Sequence, residues 1–471
     1  MRFDIENMGV LTKASIELGD LTIVCGRNNT GKTYITNSIF GFLERWHDYI
    51  PVHDDDNTGL RLGLSSLFKQ GTQTVPVDEY LKNSNLILQA ASQVFETNLA
   101  ATFGSQPAKF TKTRFRCSVE TEKFGDLSDG VSRLGSADKE FLRLRRDAKD
   151  RQIIIELIGR KNTFTQMPRE ILRDLVSDLV RQACFETIFP RPLISSSERT
   201  GIATFGKHLN FAMSNLMDRI RAGDEDIEPH EFMSDIKSGY PISIECNVAF
   251  SRKLEEATKA SSFLKDENSE ILNKFNNILG GTYRLTNDDR LYYQPKRGKS
   301  RLTMRESASS IRSLLDIYFY LNHVVQKGDI LMIDEPEHSL HPHNQRLLAR
   351  VLCQLVNAGI KIFITTHSDY IIREVNSLIM MNGDSPRQRG VPYRFGYSDD
   401  ELIDPRKIRI YEAKSDLMEI EGYSKRVSRL TLVPVIVDPN FGIAAKVFDT
   451  EINEMNSIQD EVIWGSSNND H

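Results

Sequence analysis

At 471 residues the chain is too long for one average domain, and two or three lobes are expected. Hydrophobic residues make up 39% and charged residues 27%, an ordinary soluble composition. No apolar run reaches the roughly 18 residues of a membrane span, and a net charge of −5 excludes global attraction to nucleic acid, leaving only local patches.

Five cysteines (Cys25, Cys117, Cys184, Cys246 and Cys353) are scattered without a C-x-x-C pair. That pattern points to a reducing cytoplasm and away from a zinc site. The opening residues do not read as a signal peptide. Residues 2–6, 14–18 and 21–25 are short apolar pieces between turns and predict a small β-meander.

The meander feeds Gly26-Arg27-Asn28-Asn29-Thr30-Gly31-Lys32-Thr33, which fits G-x-x-x-x-G-K-[ST]. In that loop, glycines let the backbone close around phosphates and the backbone N–H groups cradle them. Residues 33–43 then open a helix, with Ile35, Ile39, Phe40 and Leu43 at helical spacing, whose N-terminus adds partial positive charge. Gly26, Asn28, Asn29, Thr30, Gly31, Lys32 and Thr33 are therefore the nucleotide-binding candidates. Lys32 is assigned to the β- and γ-phosphates and Thr33 to Mg²⁺.

Residues 46–58 are polar and predict a loop leaving the core. Residues 60–100 predict helix, with Leu86, Leu88, Val94, Phe95 and Leu99 as the buried face. Strands are expected over 109–120 and 151–159. Between them, Arg143, Arg145, Arg146, Lys149 and Arg151 predict a charged solvated face, with a phosphate-contacting patch as the alternative. An amphipathic helix over 168–189 and a strand over 191–199 follow. Residues 205–279 are helical but interrupted, without the sustained heptads of a long coiled coil. Residues 280–295 predict a hairpin.

Ile330-Leu331-Met332-Ile333-Asp334-Glu335-Pro336 predicts a strand buried on both faces that ends in two acids. Open α/β sheets place their ligands at such strand ends. Asp334 is the metal-side acid and Glu335 the residue that polarises the attacking water. Residues 361–366 form another buried strand, ending in Thr366-His367-Ser368, from which His367 can reach a γ-phosphate. Upstream, Ser309 and Ser310 open an apolar helix over 311–325, as N-caps or as an anion site. His338, His341 and His343 could gather a metal, but His341-Pro342 stands where a helix begins and no second cluster accompanies them. Residues 399–401 predict a solvated acidic loop, residues 408–411 and 430–437 terminal strands, and residues 444–458 a closing amphipathic helix with Val447, Phe448, Ile452 and Met455.

The order of phosphate loop, Ser-Ser helix start, Ile-Asp-Glu-Pro, Glu337-His338-Ser339-Leu340-His341-Pro342 and Thr-Thr-His-Ser resembles ABC-type ATPases of the OLD-like and SMC-like branch. The resemblance implies an α/β P-loop ATPase head, a mixed β-sheet with flanking helices, carrying a mainly helical insertion. It assigns residues 1–48, 109–200 and 280–471 to the ATPase core and residues 49–108 and 201–279 to insertions. It implies ATP and Mg²⁺ as cofactors, Glu335 and His367 as catalytic, and Thr33 and Asp334 as the metal pair. In the family two heads sandwich two ATPs, so Ser309 and Ser310 would contact the nucleotide of a neighbouring protomer. The signature departs from Ser-Gly-Gly, reading Ser307-Ala308-Ser309-Ser310, and the sequence does not place the usual Q-loop glutamine. Arg199 is a phosphate-side candidate by position alone.

Stand-alone ATPases of this shape resemble the ATPase subunits of bacterial anti-phage systems, PARIS first and Septu second. That likeness implies a cytoplasmic homo-oligomer, a dimer or larger. Its partners would be a separately encoded effector, a Toprim-like or HNH nuclease, with DNA or a phage protein as further partners and no membrane. The alternative is an SMC-like ATPase that clamps DNA in repair, and the absence of long heptads speaks against it.

Overall fold

The computed structural model describes residues 1–53, 60–61, 67, 70–76, 83–120, 130–136, 139–147, 149, 152–158, 169–186, 188–205, 239–286, 290–298, 300–383, 390–418, 426–444 and 454–462. Its main sheet has nine strands: β1 (Arg2–Met8), β2 (Leu11–Glu17), β3 (Leu21–Gly26), β4 (Arg114–Ser118), β5 (Pro192–Ser195), β6 (Ile330–Asp334), β7 (Lys361–Thr366), β8 (Ile408–Met418) and β9 (Val427–Val435). They lie in the order β5-β6-β7-β3-β8-β9-β2-β1-β4. The first five in that order run parallel.

The apolar runs of the parallel strands follow from burial on two faces. Met332 and Phe363 face one core with Ile35, Ile39 and Phe42 of α1 (Lys32–Tyr49). Leu331, Ile333, Ile362 and Ile364 face a second core. That core also holds Leu348 and Leu352 of one helix and Ile371 and Val375 of another. Four-residue steps along α2 (Ser84–Thr102) bury Ile87, Ala91, Phe95 and Leu99. Leu88 is buried too, but Leu86 and Val94 stand in solvent, correcting the expected face. In α3 (Arg169–Phe185) the expected Val176 and Val180 are buried. Beyond the Asp-Glu strand, α4 (Pro342–Asn357) and α5 (Asp369–Met381) are the helices that supply the second core.

The three N-terminal strands form, but not as a meander. β1 and β2 pair as a hairpin, while β8 and β9 lie between β2 and β3. The strand within 151–159, Gln152–Leu157, joins a separate four-stranded sheet with Thr72–Pro76, Gly130–Ser136 and Lys139–Asp147. The basic run of 143–146 is thus strand, with Arg143 3.8 Å from Glu156 and Arg145 exposed. The expected hairpin is present as Gly281–Leu285 and Leu291–Pro295.

The acidic loop is solvated at Asp399 and Asp400 but not at Glu401. Asp399–Glu401 is a 3₁₀ turn closed by a Ser398 capping box, and Glu401 is buried against Lys274 at 3.0 Å. At the C-terminal end, residues 454–462 are helical and expose Met455, Ile458 and Val462 rather than packing them. Val447, Phe448 and Ile452 lie outside the described residues, as does most of 201–240. Among the described residues no helix is long and apolar enough to cross a membrane, and there is no long coiled coil.

Candidate nucleotide site

β3 delivers the phosphate loop at the C-terminal edge of the parallel strands. Two of its glycines are required by shape. At Gly26, φ is 144° and an added Cβ would lie 2.5 Å from the Ala413 carbonyl oxygen of β8. At Gly31, the left-handed N-cap of α1, φ is 87° and a Cβ would lie 2.5 Å from Leu11 Cγ. Asn29 is also left-handed at φ 61°, a conformation asparagine tolerates better than most residues. The Thr30 hydroxyl donates to the Arg27 carbonyl at 2.8 Å, bracing the turn. Asn28 stands exposed on the same turn.

Lys32 folds back over the loop, its Nζ donating to the carbonyls of Gly26 at 3.2 Å and Arg27 at 2.8 Å. Burial draws its pKa down, and the charges of Glu335 and Asp334 oppose that shift. The ammonium thus occupies the loop's own acceptors, from which a phosphate can draw it.

Parallel pairing of β6 with β7 sets Asp334 opposite Thr365. The Thr365 hydroxyl donates to Asp334 Oδ1, and the Thr33 hydroxyl lies 3.4 Å from Asp334 Oδ2. Residues 301 positions apart in sequence therefore meet as a hydroxyl–carboxylate pair. Burial raises the pKa of Asp334, with the Glu335 charge adding to the rise and the Thr365 hydroxyl opposing it. A Thr hydroxyl and one Asp carboxylate are the protein donors Mg²⁺ takes in phosphoryl-transfer sites, so these two residues fit that ion.

At Glu335 the backbone turns left-handed, φ 52°, with its N–H on the Thr365 carbonyl at 3.1 Å. Its carboxylate lies 3.5 Å from His367 Nε2. The hydrogen bond from His367 holds the Glu335 pKa below the usual range despite partial burial. His367 is itself fixed by Glu337, whose carboxylate accepts the His367 N–H at 2.6 Å and the Thr366 hydroxyl at 2.9 Å. Burial raises the Glu337 pKa. Ser368 caps α5, accepting from Ile371 N–H at 3.2 Å.

The geometry thus brings together Lys32, Thr33, Asp334, Glu335 and His367. It does not bring Ser309 and Ser310 to them. Both lie on the short helix Ser309–Ser313, where Ser309 Oγ accepts from Arg312 at 3.2 Å. Among the described residues no hydrogen bond or ion pair links either serine to the phosphate loop. The helix expected over 311–325 is broken into Ser309–Ser313, Leu315–Phe319 and a π turn at Tyr320–Val324. Ala308, not a serine, is its N-cap.

Arg199 is not a phosphate-side residue. It is 3% exposed and directs its guanidinium at backbone carbonyls, including those of Asp334 and Glu335, both at 2.6 Å. The exposed Glu198 beside it is near enough for its charge to raise the Asp334 pKa. Thr365, Glu337 and Arg199 are the working parts that sequence reasoning missed or misassigned. The available signal was a Thr at the register position opposite the acid. The His341 imidazole caps α4, accepting from the His343 N–H at 3.2 Å, and no metal-holding His, Cys, Asp or Glu cluster occurs among the described residues.

The AAA ATPase domain family matches residues 185–372. That span holds Ser309, Ser310, Asp334, Glu335 and His367, and the phosphate loop lies before it. Together with the loop's geometry, the match supports a P-loop ATPase of the AAA type. No curated protein matches the sequence. Solved structures with some likeness include an SMC head bound to the C-terminal winged-helix domain of ScpA (13% identity, TM-score 0.31, covering 91% of this chain and 97% of that one). Another is the SMC head domain from Thermotoga maritima (10% identity, TM-score 0.28, covering 93% and 98%). A third is an SMC head with extended coiled coil bound to the C-terminal domain of ScpA, from Pyrococcus furiosus (11% identity, TM-score 0.29, covering 98% of each).

Proposed function

We propose that the chain binds and hydrolyses ATP with Mg²⁺ at the edge where β3, β6 and β7 end. The carrying observation is the convergence of Thr33, Asp334, Glu335 and His367 from three separate strand ends. Phosphate binding draws Lys32 from the Gly26 and Arg27 carbonyls onto the β- and γ-oxygens. Thr33 and Asp334 would hold Mg²⁺, which would supply positive charge to offset that of the phosphates. Glu335, kept ionised by His367, takes the proton of the attacking water. His367, anchored through its N–H by Glu337, faces the γ-phosphate and passes its position to Glu335.

By the resemblance of its motif order, the chain works as a homodimer or larger oligomer in the cytoplasm. Ser309 and Ser310 of one protomer then complete the site of another. It serves as sensor and scaffold for a separately encoded effector, a Toprim-like or HNH nuclease, in anti-phage defence. DNA or a phage protein is a further partner. The binding half of this reading is tested by calorimetry with Lys32→Ala. Loss of the ammonium should weaken ATP at least tenfold, which is about 1.4 kcal/mol. Unchanged affinity would remove the phosphate loop from the account.

A further inference from the structure

The apolar stretch after Ser309 breaks at Leu314, whose N–H bonds only three residues back, to the Ile311 carbonyl. In a continuous α-helix the Ile317 N–H would bond to the Ser313 carbonyl. Here Ile317 N–H is taken by Asp316 Oδ1 at 2.8 Å, and the Ser313 carbonyl accepts from Arg199 Nε at 3.0 Å. Two side chains have replaced one rung of the helix. Leu314, at φ −103° and ψ 1°, is the joint between Ser309–Ser313 and Leu315–Phe319.

The rest of the same guanidinium grips the acid turn. Arg199 Nη1 donates to the carbonyls of Ser196 at 2.9 Å and Asp334 at 2.6 Å, and Nη2 donates to Glu335 at 2.6 Å. A left-handed glutamate is strained and persists only where its surroundings hold it. The bond to the Glu335 carbonyl is one such hold. Arginine suits the task because its donors lie in one rigid plane, so displacing the Ser313 end displaces the Glu335 end. A lysine ammonium has three donors on a flexible stem and cannot hold both ends in fixed relation.

We propose that Arg199 is a positioning residue that ties the Ser309–Ser313 turn to Glu335, so that whatever seats against that turn sets the orientation of the general base. The inference rests on the assignment of Glu335 made above. It gives one protomer a mechanical route by which a partner's contact at Ser309 and Ser310 reaches its own general base.

Arg199→Lys keeps the charge and removes the fork. We expect ATP affinity within about twofold of the parent, turnover lowered at least tenfold, and amide exchange faster at 313–317 and 334–338 together while Lys361–Thr366 stays protected. A merely structural role would move affinity with turnover and loosen the strand as well. Parental turnover in a folded Arg199→Lys, or loosening of only one of the two segments, overturns the proposal. Should Arg199→Lys fail to fold, the Glu335→Gln chain loaded with ATP serves instead. Protection must then change at both segments or the tie is absent. If the parent hydrolyses no ATP, the proposed function fails, and the exchange measurement still decides the tie.

Discussion

Replacing Thr365 by valine removes a single hydroxyl from a fully buried position while keeping the branched shape of the strand residue. That hydroxyl is the donor to Asp334 Oδ1 and a second acceptor for the Glu335 N–H, 3.3 Å away. A hydrogen bond to a charged group contributes about 1.5–3 kcal/mol, and an orphaned buried acceptor costs its desolvation. We therefore expect Thr365→Val to be destabilised by about 1.5–3 kcal/mol in denaturant unfolding at neutral pH. Thr365→Ser, which retains the hydroxyl, should recover most of that loss.

The effect has a definite pH sense. Burial raises the Asp334 pKa above its ordinary 3.8, and the Thr365 hydroxyl pulls the other way. The native state therefore binds a proton more readily than the unfolded chain. The stability this confers is present in acid and lost as pH rises through the folded pKa. Protonated Asp334 depends less on the donor, so the gap between Thr365→Val and the parent should narrow as pH falls. In solution with ATP, the variant should need more Mg²⁺ to reach half-saturation, because its Asp334 is ionised less readily. A denaturation midpoint equal to the parent's, or a Thr365→Ser chain as unstable as Thr365→Val, would refute the reasoning.

Asp334→Asn relieves the buried charge itself. It should melt above the parent without nucleotide at neutral pH, yet gain nothing from ATP and Mg²⁺, and a lower melting temperature would contradict the burial argument. The two-protomer reading is tested by mixing Lys32→Ala with Ser310→Arg. Each variant alone should be inactive. A mixed dimer leaves one site with an intact loop and an intact Ser-Ser turn, so turnover should partly return. Full turnover by Ser310→Arg as a monomer would place the whole site in one chain.

The parts of this site that could be read in advance are those with fixed local spacing. The phosphate loop, the two acids after β6 and the histidine after β7 each sit where a strand ends, and strand ends are visible as apolar runs. What joins them was not visible. Thr365 matters because parallel register puts it opposite Asp334, and Arg199 because it meets Asp334 across 135 positions of chain. Local pattern likewise misjudged Glu401, whose burial depends on Lys274 far upstream. It gave α2 two face residues, Leu86 and Val94, that a strict four-residue step excludes. The N-terminal pieces look like a meander because nothing in them records that β8 and β9 pair between β2 and β3.

The central claim is that Glu335 drives hydrolysis of an ATP held by the loop at Lys32. Single-turnover hydrolysis by Glu335→Gln, measured beside ATP affinity on the same preparation, tests it most directly. The amide keeps the size and a hydrogen-bonding oxygen for His367 but cannot take a proton from water. ATP should bind as in the parent and persist, with the rate lowered by about 10²–10⁴. Hydrolysis at the parental rate with binding intact would contradict the account.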